Sequence, residues 1–202
     1  PEYDQYLDDN LFPSHILTEE QLDRSLAEER IKKIRDILID PDNTSREIEI
    51  KYMVPWTDKD IIKLNTVDVI FSQSVIEHVM DLNDTYEAMY SWLRPGGLMS
   101  HQADFSSHGY SDIWNGFRAY PECAWKVTMG RRPYILNRQP YSVHIDLIRK
   151  NGFDIVCAMQ NHRKGEGIDR SQLSKRWKDL SEDDLTCSGA FIQAKKPLSV
   201  ER

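Results

Sequence analysis

A mainly apolar run followed by a polar turn constrains the fold of this chain more than any other feature. Residues 67–71 are apolar except for Asp68, a pattern that is typical of a parallel strand buried on both faces. The polar residues 72–74 follow at once, and a Pro-Gly-Gly sequence at 95–97 marks a turn. The spacing suits one intervening helix. The segment therefore predicts a strand, a helix, a turn and a second strand over 98–103.

Strand and helix patterns alternate along the rest of the chain. Apolar residues at every second position predict a strand over Ile48–Val54, and two more strands are predicted over Phe153–Met159 and Ala190–Ala194. Helices are predicted from a capping box at Thr18 to Leu38, from Asp84 through Leu93, from Ser142 to Gly152, and over Asp169–Leu180. Strands that alternate with helices are typical of a layered α/β fold with right-handed crossovers.

Composition limits the classes of partner. The 202 residues, 40% of them hydrophobic, can bury one core, so we expect a single domain over 1–202 with an acidic arm at 1–16. The net charge of -7 disfavours nucleic acid, and no apolar run is long enough to span a membrane. The three cysteines form no Cys-x-x-Cys pair, which favours reduced thiols. We predict a cytoplasmic protein with no nucleic-acid partner.

The segment from Asp68 to Gly97 closely resembles the second half of a class I S-adenosylmethionine (SAM) dependent methyltransferase. Its Glu77-His78 pair and Pro-Gly-Gly turn match the type 11, ubiquinone/menaquinone-methylase-like family, and the similarity extends from about Ile48 to the C-terminus. The resemblance implies a Rossmann-like, three-layer αβα fold whose strand order is 3-2-1-4-5-7-6, with the last strand antiparallel. Strands 1 and 2 and the glycine-rich turn between strand and helix have no recognisable counterpart, so the sheet is expected to be incomplete at its N-terminal side.

The resemblance also implies S-adenosyl-L-methionine as the cofactor. Open parallel sheets bind ligands at the carboxyl ends of their strands, and two such ends carry suitable side chains. A tryptophan after the first strand can stack on a purine, while the polar turn after the second offers hydrogen bonds to the amino-acid end. The predicted cofactor-binding residues are Pro55, Trp56, Ser72, Gln73 and Ser74. The alternative is that Trp56 packs against a helix and Ser72 caps one.

Three polar residues after the strand at 98–103 are candidates for catalysis: His101, Asp104 and His108. In one interpretation, a histidine removes a proton from the methyl acceptor during attack. Two histidines and a carboxylate are also ligand types for a metal, but this spacing matches no recognised pattern, and we predict no metal. A third interpretation is a hydrogen-bonded loop without chemistry. His78, in the Glu-His pair, is interpreted as structural.

Residues 104–140 lie where the family inserts a region that covers the substrate. Arginines beside aromatic residues can clamp a carboxylate or phosphate, and the predicted substrate-binding residues are Trp114, Arg131, Arg132, Tyr134 and Arg138. The simpler interpretation is that these arginines pair with acidic side chains of the same protein.

An unpaired strand edge is a further consequence of the missing strands. Family strand 4, here residues 67–71, normally pairs with strand 1, and an open apolar edge favours association. We therefore predict either a homodimer or a rearranged five-stranded sheet.

The function implied by the resemblance is SAM-dependent methyl transfer to an O or N atom of a small-molecule or saccharide-like acceptor. The alternative is a truncated or degenerate methyltransferase-like domain that acts in binding or assembly without catalysis. Positioning dominates such a transfer, so no protein nucleophile is required. The sequence leaves open which acceptor is methylated and whether the natural chain extends upstream of Pro1.

Overall fold

The structure is a computed structural model that describes residues 18–40, 48–53, 59–132 and 134–198. The chain divides into two compact units, residues 1–54 and 55–202, and each is described by itself. The N-terminal arm predicted at 1–16 lies outside the described residues. None of the described helices has the length and apolar character that a membrane span needs.

The first unit contains two short helices, α1 (Glu19–Leu26) and α2 (Glu28–Ile39). The predicted capping box is confirmed, because the Gln21 amide donates to the Thr18 hydroxyl at 3.2 Å and the Thr18 amide donates to the Gln21 side chain at 3.0 Å. The prediction of one helix up to Leu38 is wrong. Ala27 has an extended ψ of 130°, and an extended residue cannot continue the hydrogen bonds of an α-helix.

The strand predicted over Ile48–Val54 is wrong for residues 48–53, none of which is in a strand. Val54 lies outside the described residues. An alternating pattern supplies a face that can be buried, but a strand also needs a neighbouring strand for its hydrogen bonds. The sequence pattern cannot provide that neighbour.

The second unit is built around one four-stranded sheet. Its helices and strands, in chain order, are β1 (Val67–Gln73), α3 (Leu82–Trp92), β2 (Leu93–Asp104), α4 (Glu122–Met129), α5 (Tyr141–Lys150), β3 (Asp154–His162), α6 (Glu182–Thr186) and β4 (Cys187–Lys195). The strand order is β1-β2-β4-β3, with β1 parallel to β2 and β4 antiparallel to both of its neighbours.

This order is the one that the resemblance implies for family strands 4, 5, 7 and 6, including the antiparallel last strand. The prediction of an α/β, Rossmann-like and incomplete sheet is confirmed. In the described part of the chain β1 is an edge strand and the sheet has four strands, so the five-stranded alternative is not found there. The homodimer stays a prediction.

Two of the predicted helices begin elsewhere than expected. Helix α3 begins at Leu82 rather than Asp84, and α5 begins at Tyr141. Ser142, the predicted cap of α5, instead donates its amide and hydroxyl to the Asp184 carboxylate at 2.9 and 2.6 Å. The competing acceptor on another element explains the difference, since a serine hydroxyl caps a helix only when no better partner is near.

The helix predicted over residues 169–180 is wrong. Two 3-10 turns, Arg170–Gln172 and Lys175–Trp177, occupy the segment. Between them Ser174 is extended, with ψ of 160°, and its amide donates to the carbonyl of Arg118 at 3.0 Å. A hydrogen bond to a distant segment therefore replaces the local helical one.

One face of the sheet is covered by α3 and α5. Tyr86 of α3 and Ile148 of α5 are fully buried in one cluster with Met99 of β2 and Ile192 of β4. Each such side chain contributes about 1.5–3 kcal/mol through burial. This cluster holds the strand ends, and hence the site above them, in fixed positions.

The opposite face of the sheet carries exposed apolar side chains. Val69 and Phe71 of β1 are 57% and 73% exposed, and Leu98 of β2 and Met159 of β3 are also exposed. The prediction that residues 67–71 are buried on both faces is therefore wrong. An apolar run indicates a strand that can be covered on both sides, and whether it is covered depends on the rest of the protein.

Candidate active site

The carboxyl ends of β1 and β2 meet at one edge of the sheet because the two strands are parallel. Gln73 lies opposite Gln102, and the next residue, Ser74, donates its amide to the Gln102 carbonyl at 2.9 Å. Ser74 has a φ of 51°, a left-handed conformation that non-glycine residues adopt rarely and often at functional sites. This edge is where an open parallel sheet binds its ligand.

A 3-10 turn at Ile76–His78 follows this edge, and Asn137 holds it in place. The Asn137 side-chain amide donates to the carbonyls of Ile76 and Val79 at 2.9 and 2.8 Å, and its backbone amide donates to the Glu77 carbonyl at 2.8 Å. Sequence reasoning assigned no role to Asn137. An isolated asparagine gives no local signal, and Asn137 is far from Glu77 in the chain, so the sequence does not reveal this role.

The Glu77 side chain is buried beside this turn, with only 2% of the residue exposed. Neither carboxylate oxygen has a hydrogen-bond partner among the described residues. Burial raises the pKa of Glu77, while its own backbone amide and then the nearby His108 act in the opposite direction. A buried carboxylate without a partner is costly, which makes this side chain the least satisfied group of the site.

His108 and Asp104 form a pair in front of Glu77. Their Nε2 and Oδ2 atoms are 3.2 Å apart, and the other Asp104 oxygen accepts from the Ser106 amide at 2.8 Å. His108 itself has a φ of 48°. The His78 ring lies edge-on to the His108 ring, with centroids 5.0 Å apart.

Together, potential ligand atoms of Glu77, His78 and His108 lie within 4.8 Å of one another. We call Glu77, His78, Asp104 and His108 the Glu77 cluster. It contains two of the three residues predicted to be catalytic. It also contains the Glu-His pair, to which sequence reasoning gave only a structural role.

His101 is separated from this cluster, although it too was predicted to be catalytic. Alternation along β2 directs His101 and Asp104 to opposite faces of the sheet. His101 is 1% exposed, and its Nδ1 atom is 2.7 Å from the Ser72 hydroxyl. Burial lowers the pKa of His101 to about 4, so its ring is neutral at pH 7.

His101 belongs to a second polar group beneath the sheet. Its ring meets the Tyr86 ring edge-on, and the Tyr86 hydroxyl is 2.9 Å from Nδ1 of His144. We call Ser72, His101, Tyr86 and His144 the buried polar chain. Burial lowers the pKa of His144 to about 3.

A small open cleft adjoins the Glu77 cluster. Glu77, Asp104 and Asn137 supply its polar wall, and its apolar wall comes from Phe105, Phe117 and Leu136. Because Glu77 and Asp104 both line the cleft, a small molecule bound there would meet two carboxylates.

The residues predicted to bind substrate lie in different environments. Arg131 and Tyr134 are exposed, whereas Trp114 is buried. Arg132 donates to the carbonyls of Thr128 and Met129 at the end of α4. The side chain of that arginine is thus committed to the helix end.

Arg138 is buried and pairs with Glu122. It also donates to the Tyr120 carbonyl at 3.1 Å, and its guanidinium lies 4.6 Å from the centre of the Trp125 ring. For Arg138 the simpler sequence interpretation, pairing with the protein's own acidic side chains, therefore holds.

The predicted cofactor-binding residues lie in different settings. Gln73 and Ser74 have exposed side chains at the sheet edge, and their amide and hydroxyl groups suit the polar amino-acid end of the cofactor. The Ser72 hydroxyl is instead engaged by His101. Pro55 and Trp56, predicted on the purine side, lie outside the described residues.

Comparison with protein families bears on the same region. Residues 41–100 match the family described as a methyltransferase domain. The resemblance is confirmed. The match covers β1, α3 and most of β2, and it supports S-adenosyl-L-methionine as the predicted cofactor. A comparison with curated proteins gave no match.

Solved methyltransferase structures show weak similarity to the methyltransferase-like chain. Phosphoethanolamine N-methyltransferase 2 of Haemonchus contortus, in complex with S-adenosyl-L-methionine, is 19% identical with a TM-score of 0.41; the alignment covers 67% of this chain and 34% of that one. A SAM-dependent methyltransferase of Methanosarcina mazei is 11% identical with a TM-score of 0.44, covering 69% and 63%. This chain thus spans about a third of the first structure's length.

Proposed function

We propose that this chain carries part of a SAM-dependent methyltransferase that acts on an O or N atom of a small-molecule or saccharide-like acceptor. The observation that supports this function is the Asp104–His108 pair, 3.2 Å apart beside an open cleft. The pair lies where parallel strands β1 and β2 end, which is the edge at which such sheets bind ligands. When bound, S-adenosyl-L-methionine supplies a methyl group on a positively charged sulfur.

Gln73 and Ser74 hold the polar end of the cofactor in this proposal, because both side chains are exposed at the sheet edge. The acceptor occupies the cleft between Asp104 and the apolar wall formed by Phe105 and Phe117. Arg131 and Tyr134, the exposed members of the predicted substrate-binding set, contact its outer part. Trp114, Arg132 and Arg138 support this region through their packing and hydrogen bonds.

His108 accepts the proton that the acceptor loses. With the cofactor bound, the proton that the acceptor O or N atom loses on methylation would move to His108. Asp104 stabilises the resulting imidazolium and fixes its ring orientation, as a carboxylate does for a general base. His101 has a positioning role, since it is buried and hydrogen-bonded to Ser72.

Two measurements test this function. Isothermal titration with S-adenosyl-L-methionine is expected to give saturable binding that weakens in a Gln73→Ala/Ser74→Ala double variant and not in a Tyr120→Phe control. Release of S-adenosylhomocysteine is then measured with matched acceptors that carry, or lack, one hydroxyl or amine. No heat of binding at high micromolar cofactor would instead favour the non-catalytic alternative for this chain.

A homodimer and a cytoplasmic location also stay as proposals. The exposed apolar side chains of β1 and β2, Val69, Phe71 and Leu98, support association through this part of the sheet. Sedimentation velocity at two protein concentrations tests the dimer, and a monomer at both concentrations would contradict it.

A further inference from the structure

The unsatisfied carboxylate of Glu77 points to a ligand. Only 2% of the residue is exposed, and neither oxygen has a partner among the described residues. Leaving such a group unpaired costs several kcal/mol or forces it to stay neutral. Natural proteins keep groups of this kind mainly where they bind or react with something.

The imidazole rings of His78 and His108 lie close to the Glu77 carboxylate. Ligand atoms of Glu77, His78 and His108 lie within 4.8 Å of one another, and the buried Nδ1 of His78 also has no partner among the described residues. Two histidines and one carboxylate form the ligand set of many sites for divalent transition metals, which leave coordination positions open. Hard cations such as magnesium prefer oxygen ligands, so nitrogen donors argue against them.

The surroundings hold these three side chains in place. Asp104 lies 3.2 Å from His108 and so fixes the orientation of its ring, which is the usual role of a carboxylate behind a metal-bound histidine. Asn137 holds the turn that carries Glu77 and His78 through three hydrogen bonds. His108 adopts a φ of 48°, a conformation that persists when the surrounding structure enforces it.

We propose that Glu77, His78 and His108 bind one divalent transition-metal ion such as zinc, cobalt(II) or iron(II). Metal–ligand bonds of about 2.0–2.2 Å require the three donor atoms, which lie within 4.8 Å of one another, to move closer together when the metal binds. The site goes beyond the methyl transfer proposed above, and it revises the sequence-based prediction of no metal. The metal set weighed from the sequence was His101, Asp104 and His108, and only His108 belongs to the site proposed here.

Of the three ligand residues, Glu77 lines the cleft, so an acceptor in the cleft would lie beside the bound metal. A hydroxyl group of the acceptor that binds the metal there becomes more acidic. In the metal-bound state His108 is a ligand and does not take the acceptor proton, so the metal and proton transfer by His108 are alternative uses of one side chain. Metal binding can therefore be measured without any reference to methyl transfer.

The test is direct titration of the metal-stripped protein. Chelator-treated chain is titrated with cobalt(II) and followed by its visible absorption bands, and zinc is then added in competition. We expect one equivalent of cobalt(II), displaced by zinc. The variants Glu77→Gln and His108→Asn should each weaken cobalt(II) binding by more than tenfold, and Asp104→Asn by about 10–100-fold.

Controls separate this site from other metal-binding groups. His162→Asn removes a histidine that also lies near a carboxylate, Asp183 at 3.6 Å, and Cys123→Ser removes an exposed thiol. Both variants should bind cobalt(II) as tightly as the parent chain. Far-ultraviolet circular dichroism checks that each variant is folded, and zinc should raise the Tm of the parent but not of Glu77→Gln.

Absence of stoichiometric cobalt(II) binding by the folded parent overturns the proposal. Equal affinity in Glu77→Gln and the parent overturns it as well, as does loss of binding in His162→Asn or Cys123→Ser. If Glu77→Gln is unfolded, Asp104→Asn decides the question, because its side chain is 44% exposed and the substitution changes little packing.

Discussion

Two polar groups of this protein each contain two histidines, one group beneath the sheet and the other at the edge where β1 and β2 end, and they differ in how their hydrogen bonds are satisfied. In the buried polar chain, His101 and His144 each have one nitrogen paired, with Ser72 and Tyr86. In the Glu77 cluster the central carboxylate has no hydrogen-bond partner among the described residues. Nε2 of His101 and of His144 also lacks a partner among the described residues, so each ring of the buried polar chain keeps one hydrogen bond whereas the Glu77 carboxylate keeps none. The comparison teaches that a neutral ring tolerates partial pairing, while a carboxylate left wholly unpaired is the group that a ligand can satisfy.

The largest effect is expected in the Glu77 cluster, on activity rather than stability. His108→Gln should lower kcat for methyl transfer by about 10²–10⁴-fold, because the base, or a metal ligand at the same position, is lost. The His108 side chain is 23% exposed, so the free energy of unfolding should change little. Paired measurements of kcat and urea unfolding check this, with His162→Gln as the matched control.

If His108→Gln lowered the free energy of unfolding but left kcat unchanged, the proposed functional role of the Glu77 cluster would be wrong. Such a result would make the Glu77 cluster a structural group like the buried polar chain.

Acid is expected to affect the buried polar chain next most strongly. Burial lowers the pKa of His144 to about 3 and that of His101 to about 4, below the value of about 6.5 in an unfolded chain. The unfolded state therefore binds more protons as the pH falls. Stability is fully present above pH 6.5 and falls by roughly 1.4 kcal/mol per pH unit for each histidine until the folded pKa is reached.

Urea unfolding between pH 7 and pH 5 measures this slope. His144→Met should give a flatter profile than the parent, since it has one titrating group fewer. A parent profile without slope over this range would mean that the two rings are already accessible to protons in the folded state.

Removing one hydroxyl from the buried polar chain should have a smaller effect. Tyr86→Phe leaves Nδ1 of His144 without its partner at 2.9 Å, and a buried polar atom left unpaired costs about 1–3 kcal/mol. The exposed Tyr134, 64% accessible, gives the matched control Tyr134→Phe, which should change stability by less than about 0.5 kcal/mol. Equal stability of the two variants would contradict the structural role of this hydrogen bond.

The smallest expected change comes from the corresponding substitution in the other group. Glu77→Gln, in metal-free protein, removes a buried carboxylate that has no hydrogen bond to lose. We expect the free energy of unfolding to stay within about 1 kcal/mol of the parent or to rise. A loss as large as that of Tyr86→Phe would show that Glu77 already has a stabilising partner.

Local sequence patterns predicted which residues of the second unit form strands better than they predicted which of those residues are buried. Residues 67–71 form a strand as expected, yet Phe71 is 73% exposed, because burial depends on what packs against the strand. The helix expected over 169–180 is missing because Ser174 bonds to Arg118, far away in the chain. Likewise, the sequence placed Asp104 and His108 among the catalytic candidates, and the structure shows that these two form a pair.

The meeting of Glu77 with His108 could not be predicted in this way. It depends on Asn137, which fixes the turn at residue 77 through hydrogen bonds from another segment. His101 was expected to join Asp104, but strand alternation turns the two side chains to opposite faces. The alternation could have been read from the sequence once the strand was taken to reach Asp104.

The sequence alone determined the run β1, α3 and β2, the methyltransferase resemblance and the polar turn at the end of β1. Short-range spacing encodes these features, since backbone periodicity and turn residues act within a few positions of the chain. Tertiary structure alone decided which histidine is buried and neutral, which carboxylate lacks a partner, and which arginine is committed to an ion pair. Those properties depend on contacts between distant segments, whose hydrogen bonds and burial no local pattern specifies.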